Sequence, residues 1–254
     1  MARTRPRRVQ KGNPQRLTIQ QHVLPRRSIA RFNGADHKVE VRRQGHTGTL
    51  RLNANNPMFC AMRVWDQRAE SGFSRSIEVD FQRLADAIVA GTTTLDSKDH
   101  QIISKFWALW RLRAEVRANP APPLELKGVL EAKEFSIEEK EVLESKHVAF
   151  AENGNQIPSH IWSGLRMQIQ IDRLITPGNC WGIVHCPAGE FVVPAEIGAL
   201  GYVPLTPSLA LLANQPNATI SREECRRLND LLLKSAGAYF FGRSLHTALS
   251  ESAT

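Results

Sequence analysis

The chain predicts an α+β fold: a single domain with a helical core and a small, mostly antiparallel sheet, preceded by a disordered basic N-terminal arm. Three observations lead there. Runs that alternate at period two lie near residues 38–52, runs at helical spacing fill residues 76–174, and short apolar runs return over residues 181–205 before a last helix. Alternation at two suits a half-buried strand, and recurrence at three to four suits an amphipathic helix. Strands, then helices, then strands and a helix is the order of an α+β domain whose two strand sets meet in one sheet. The expected boundaries are residues 1–16 for the arm, 17–245 for the domain and 246–254 for a flexible tail.

Each element has its own signal. The arm opens Arg3-Thr4-Arg5-Pro6-Arg7-Arg8, a run of like charge that repels itself, with a proline that blocks helix. Pro25 disfavours helical backbone at Leu24, so His22 belongs on an extended segment. Lys38–Arg42 alternates at period two, and Thr47–Leu52 can pair with it across a turn at Gly45. Ile77, Phe81, Leu84 and Ile88 make a helical stripe that Gly91 ends. Ser97 is the cap for a second helix, flanked by Asp96 and Asp99, which read as cap residues rather than ligands. That helix carries a broad apolar face from Ile102 to Trp110. Ser136-Ile137-Glu138-Glu139 is a capping box for a helix to about Phe150, and another helix spans Ser159–Leu174. Trp181–Cys186, Glu190–Val193 and Tyr202–Leu205 read as strands between prolines and glycines. Ser221-Arg222-Glu223-Glu224 opens a final helix running towards Phe240.

The 33 basic and 25 acidic residues give a net charge of +8, but the excess is local. Nine basic residues and no acidic one precede Asp36, which leaves 24 basic against 25 acidic in the rest. A near-neutral body with a cationic arm points to a polyanion partner, nucleic acid above all, gripped through phosphates and without sequence choice. The expected contacts are Arg3, Arg5, Arg7, Arg8, Lys11, Arg16, Arg26 and Arg27. The plainer account is a solvated tail. No run approaches 18 uninterrupted apolar residues, so no membrane span is expected, and the basic N-terminus lacks the apolar core of a signal peptide. Cys60, Cys180, Cys186 and Cys225 form no Cys-x-x-Cys pair, which suits free thiols in a reducing cytoplasm.

The stretch Gln21-His22-Val23-Leu24-Pro25, with Ile29 and Phe32 behind it, resembles the opening signature of the bacterial family catalogued as domain of unknown function 4238. The resemblance covers about residues 21–245. Trp107-Ala108-Leu109-Trp110-Arg111 looks like that family's apolar helix ending in arginine. Trp181-Gly182-Ile183 and Phe191-Val192-Val193 look like its strand pair. Pro204-Leu205-Thr206-Pro207 and Asn229 match its later elements. One element departs: where the family has Ser-Asp-x-Pro, this chain has Pro194-Ala195-Glu196-Ile197, leaving Glu196 as the stand-in for the aspartate. The family carries no assigned reaction, so the resemblance implies a fold and a set of residues.

The expected catalytic residues are His22, Glu78, Arg111, Glu196 and Asn229. An imidazole serves as a base near neutral pH, a carboxylate as base or ligand, and a guanidinium as a phosphate clamp. Each has a structural account beside it. Glu78 and the nearby Glu70 are charges favourably placed near a helix start, Arg111 and Arg113 are charges near a helix end, and Asn229 in mid-helix answers a specific hydrogen bond. No nucleophile elbow, phosphate-binding glycine loop or zinc pattern is present, and no metal or cofactor is assigned. The expectation is a protein that acts on nucleic acid, with phosphodiester hydrolysis as the reaction. The alternative is a non-catalytic binding or protein-interaction module.

Overall fold

The computed structural model describes residues 7–128, 134–175, 178–198 and 200–249. Arg3 and Arg5 of the arm and residues 250–254 of the tail lie outside the described residues. From the N-terminal side, β1 (Gln20–His22) leads into the short helix α1 (Arg26–Ala30), the hairpin strands β2 (Val39–Arg43) and β3 (Thr49–Leu52), and β4 (Cys60–Met62). A π-turn at Ala69–Phe73 opens α2 (Ser74–Val89), and α3 (Ser97–Ala118) follows. The middle holds β5 (Leu124–Glu125), α4 (Ile137–Ser145), β6 (Gln156–Ile157) and α5 (Ser159–Leu174). Then come β7 (Trp181–His185), β8 (Val193–Pro194), β9 (Tyr202–Thr206), β10 (Leu209–Ala213) and β11 (Ala218–Thr219). The last elements are α6 (Arg222–Leu233), β12 (Tyr239–Gly242) and α7 (Leu245–Ala248).

The α+β expectation holds, with small and mostly antiparallel sheets. One sheet runs β3-β2-β12-β8, which joins the N-terminal hairpin to β12 and β8. The expected strands β7 and β9 lie in a separate sheet, so the two strand sets do not meet in one sheet as expected. The other runs β11-β7-β10-β9, with β11 the parallel edge. β1 pairs with β4, and β5 with β6.

The core gathers on α2 and α3. The centre of α3 is apolar all round, and a helix of that kind must be enclosed. Phe106 and Trp110 are about 1% exposed and Trp107 is 8% exposed. Phe106 stacks on Phe81 of α2 with ring centroids 3.6 Å apart. Asp96 caps α3 in a reciprocal box with Asp99, and Gly91, at φ +115°, releases the chain after α2.

Several boundaries differ from the sequence reading. α4 stops at Ser145 instead of Phe150, where His147 takes φ +63° and ends the helical path. α6 stops at Leu233, Gly237 turns the chain at φ +69°, and Phe240 belongs to β12. Of Glu190–Val193, only Val193 is in a strand. β10 was missed, although it pairs with both β7 and β9.

The expectation of a disordered arm over residues 1–16 is corrected from Arg7 onward. Arg7 makes a two-pronged ion pair with Glu152, at 3.0 and 2.8 Å. The Gln10 amide donates to Glu141 Oε1 at 2.7 Å, and Leu17 is buried. Charge counting along the arm misses this because the compensating carboxylates lie some 130 to 145 residues further on. The flexible tail is also shorter than expected. Residues 246–248 complete α7, and Leu249, just past its end, is buried against the second, smaller apolar cluster under α6 and β12. No helix among the described residues is long and apolar enough to cross a membrane.

Candidate functional site

A cleft of about 670 Å³ opens between β1, α1 and α2. That size falls within the range of small-ligand pockets. Strand alternation sets its first wall. Gln21 of β1 points inward and is buried, its Nε2 donating to Trp65 O at 2.7 Å while its Oε1 accepts from Val64 N at 2.8 Å. His22, one residue on, therefore turns to the opposite face and lines the cleft. Its Nε2 lies 3.1 Å from Ala54 O. A carbonyl can only accept, so Nε2 carries the hydrogen and a neutral His22 has its lone pair on Nδ1. That is the tautomer of a ring ready to take a proton or bind a cation through Nδ1.

The second wall is one face of α2. Arg75, Val79 and Arg83 recur at a spacing of four, with Glu78, Gln82 and Asp86 beside them, while Phe81, Leu84 and Ile88 on the other face are buried. The floor is Arg113 of α3, only 2% exposed. Its Nη1 donates to His22 O at 3.1 Å and also to Glu78 Oε1. Its Nη2 lies 3.7 Å from Glu70 Oε2, and its guanidinium sits 5.4 Å from the centre of the Trp65 ring. Trp65 Nε1 donates to that same Glu70 oxygen at 2.6 Å. A buried charge persists only when paired and hydrogen-bonded, and Arg113 has both. It thus ties the backbone of His22 to two of the cleft's three carboxylates, Glu70 and Glu78.

The charge balance is uneven. Glu70 and Glu78 are committed to Arg113. Asp86 is shared by Arg27 at 2.5 Å and Arg31 at 2.9 Å. Arg26, Arg75 and Arg83 line the cleft, are exposed, and have no protein partner among the described residues. The opening therefore carries uncompensated positive charge on three guanidinium groups.

His22 and Glu78 both line the cleft, together with Glu70 and with Arg26 and Arg27, which the sequence reading had assigned to the basic arm. Three of the expected catalytic residues are not in this site. Arg111 stacks on Trp107, 5.5 Å from the ring centre. It lies about 200° around the helix from Arg113, which takes the place expected of it. Glu196 belongs to the far end of β8. Its carboxyl packs on Gly237, where any Cβ would fall 2.3 Å from Glu196 Cδ. Asn229 is fully buried, donating to Glu190 O and Ala248 O at 2.8 Å and accepting from Val192 N at 3.1 Å. It is a staple between α6, the β8 approach and α7. Among the expected phosphate contacts, Arg7 is spent on Glu152, while Arg8, Lys11 and Arg16 stay exposed on the packed N-terminal segment. Sequence reasoning missed Gln21, Trp65, Arg75 and Arg83. The arginines had a readable signal: they recur at helical spacing opposite the apolar stripe of α2, a pattern that also describes any solvated face.

A separate buried ionic group adjoins Trp65 in the chain. Arg63, 3% exposed, pairs with Glu144 at 2.5 Å, and His160 Nε2 donates to the same Glu144 oxygen at 3.2 Å. Burial opposes ionisation of Glu144, yet the hydrogen bond from His160 and the charge of Arg63 hold its carboxyl below the ordinary range. Burial pushes Asp66 the other way, up to about 6, against the hydrogen bond from Ala69 N. Among the described residues no group of three or more His, Cys, Asp and Glu side chains is placed to hold a metal ion. All four cysteines are free thiols.

No family model matches the chain, and neither the curated proteins nor the solved structures contain a match to it.

Proposed function

We propose that this protein acts on nucleic acid, gripping the phosphate backbone at the cleft between α1 and α2, with phosphodiester cleavage as the reaction His22 serves. The observation that carries this reading is the set of three exposed arginines, Arg26, Arg75 and Arg83, left without partners around a histidine whose free lone pair is on Nδ1. Guanidinium groups suit phosphate oxygens by their planar, two-pronged geometry. The grip moves from the N-terminal arm, where the sequence suggested it, to the mouth of the cleft. Such contacts supply affinity without reading bases. Membership of the domain-of-unknown-function 4238 family and a cytoplasmic setting are parts of this proposal. They rest on the order of the short motifs and on four cysteines that are all free thiols.

A non-catalytic binding module is the second reading, and one observation favours it. Glu70 and Glu78 both belong to Arg113, so neither carboxylate is free to move a proton.

The test is binding of a fluorescent single-stranded oligonucleotide over a salt series. The logarithm of affinity should fall with the logarithm of salt, with a slope of about −0.7 per phosphate contact. Arg75→Ala with Arg83→Ala should flatten that slope by about 1.4 and weaken binding to all sequences alike. Unchanged binding by this double variant would overturn the reading.

A further inference from the structure

We infer that the substrate class is RNA, cleaved at the cleft by attack of its own 2′-hydroxyl on the neighbouring phosphorus. The inference rests on the nucleic-acid reading above and adds the substrate and the route. Cleavage of a phosphodiester by water requires a nucleophile to be activated and placed. RNA brings that nucleophile within its own chain, already beside the phosphorus, and intramolecular placement of this kind is worth many powers of ten in rate. What remains for the protein is a base for one proton and positive charge around one phosphate. The cleft offers these two things and commits its carboxylates elsewhere.

The parts are in place. His22 cannot use Nε2 as a base, because that nitrogen donates to Ala54 O. Nδ1 is therefore the proton acceptor. Its backbone is held by Arg113, itself fixed by Glu78, so the ring stands on a rigid support. Arg75 and Arg83 flank Val79 on successive turns of α2, with Val79 half exposed between them. Two cations about 12 Å apart along a helix, from eight residues at 1.5 Å rise, suit consecutive parts of one strand. The apolar patch between them suits the face of a sugar or base.

The step balances without a metal or a redox partner. Nδ1 of His22 takes the proton of the 2′-hydroxyl. The oxygen forms a bond to phosphorus, and the bond from phosphorus to the 5′-oxygen of the next nucleotide breaks. That oxygen takes a proton from water, and the imidazolium returns its own proton to solvent. The products are a 2′,3′-cyclic phosphate and a free 5′-hydroxyl. Arg75 and Arg83 hold the charge that builds on the phosphate oxygens, a preorganised stabilisation of the transition state.

The experiment uses the full chain, one RNA oligonucleotide, the same sequence in DNA, and the same RNA with every 2′-oxygen methylated, all in excess chelator. Products are resolved by denaturing electrophoresis and identified by mass. RNA alone should be cut, leaving cyclic phosphate ends. His22→Ala and His22→Gln should each lose about 10²–10⁴ in rate, as loss of a general base does, while thermal melts show both still folded. Cleavage that survives both variants, cleavage of the methylated strand, or binding of RNA without any cleavage would overturn the inference and leave the binding reading standing. Failure to bind either nucleic acid would sink the binding reading itself.

Discussion

Replacing Arg113 by methionine tests the support beneath the cleft. Methionine fills a similar unbranched volume, so the change removes charge and hydrogen bonds with little cavity. Three interactions go: the bond to His22 O, the pair with Glu78, and the approach to Glu70 over the Trp65 ring. Removing one member of a buried pair costs about 3–5 kcal/mol, because the partner is left buried and uncompensated. Glu78 and Glu70 keep 25% and 19% of their side-chain surface, so water takes up part of that loss. The expected cost is therefore near the lower bound, about 3 kcal/mol. Urea unfolding at neutral pH reads it as a shift in midpoint at constant slope. Adding Glu78→Gln to the variant should restore part of the loss, with a coupling of about 1–2 kcal/mol in the double-mutant cycle. A loss below about 0.5 kcal/mol, or a cycle with no coupling, would refute the idea that this pair organises the cleft.

Two further outcomes follow from the buried charges. Asp66 titrates at about 6 in the folded chain against an ordinary 3.8, so the folded state holds its proton more tightly than the unfolded one. Its contribution is full below about pH 4 and is lost as pH rises to about 6. The rise from 3.8 to about 6 sets an upper bound of about 3 kcal/mol. Asp66→Asn keeps an acceptor for Ala69 N, so it should melt above wild type at pH 7.5 and match it at pH 4. His160 shifts downward by burial and titrates with the opposite sign, so the measured quantity is the difference between variant and wild type. An equal difference at both pH values would contradict the Asp66 assignment. Deleting residues 1–16 should cost about 2–3 kcal/mol, because Glu141, 4% exposed, loses the donors supplied by Gln10. Scanning calorimetry should show a fall of several degrees; an unchanged melt would mean the packed segment adds nothing.

Much of the fold was legible because its signals are local. The capping boxes at Ser136 and Ser221, the stripe of α2 and the apolar centre of α3 depend on residues within a few positions of each other. What escaped depends on distant partners. The N-terminal segment is ordered by Glu141 and Glu152, and β10 is defined by the strands on either side of it. The site divides in the same way. His22 was placed by Pro25, one short step away. The choice between Arg111 and Arg113 turned on the phase of α3 relative to Glu78, 35 residues earlier, and spacing along one helix does not set that phase. Asn229 drew notice for a polar side chain in mid-helix, and that reasoning found a real demand for hydrogen bonds, met by the backbone instead of a ligand.

The pairing of β2 with β12 has a consequence for the protein's birth. Glu40 lies opposite Gly242, about 200 residues later in the chain. At translation rates of about 5–20 residues per second, the strand that completes this sheet leaves the ribosome roughly 10–40 s after the hairpin it joins. For that interval β2 is an open edge carrying Val39 and Val41, a template for unwanted pairing with other nascent chains. Its intervening Glu40, Arg42 and Arg43 place charge of both signs along the waiting edge, the usual guard against such encounters until the chain's own last strand arrives.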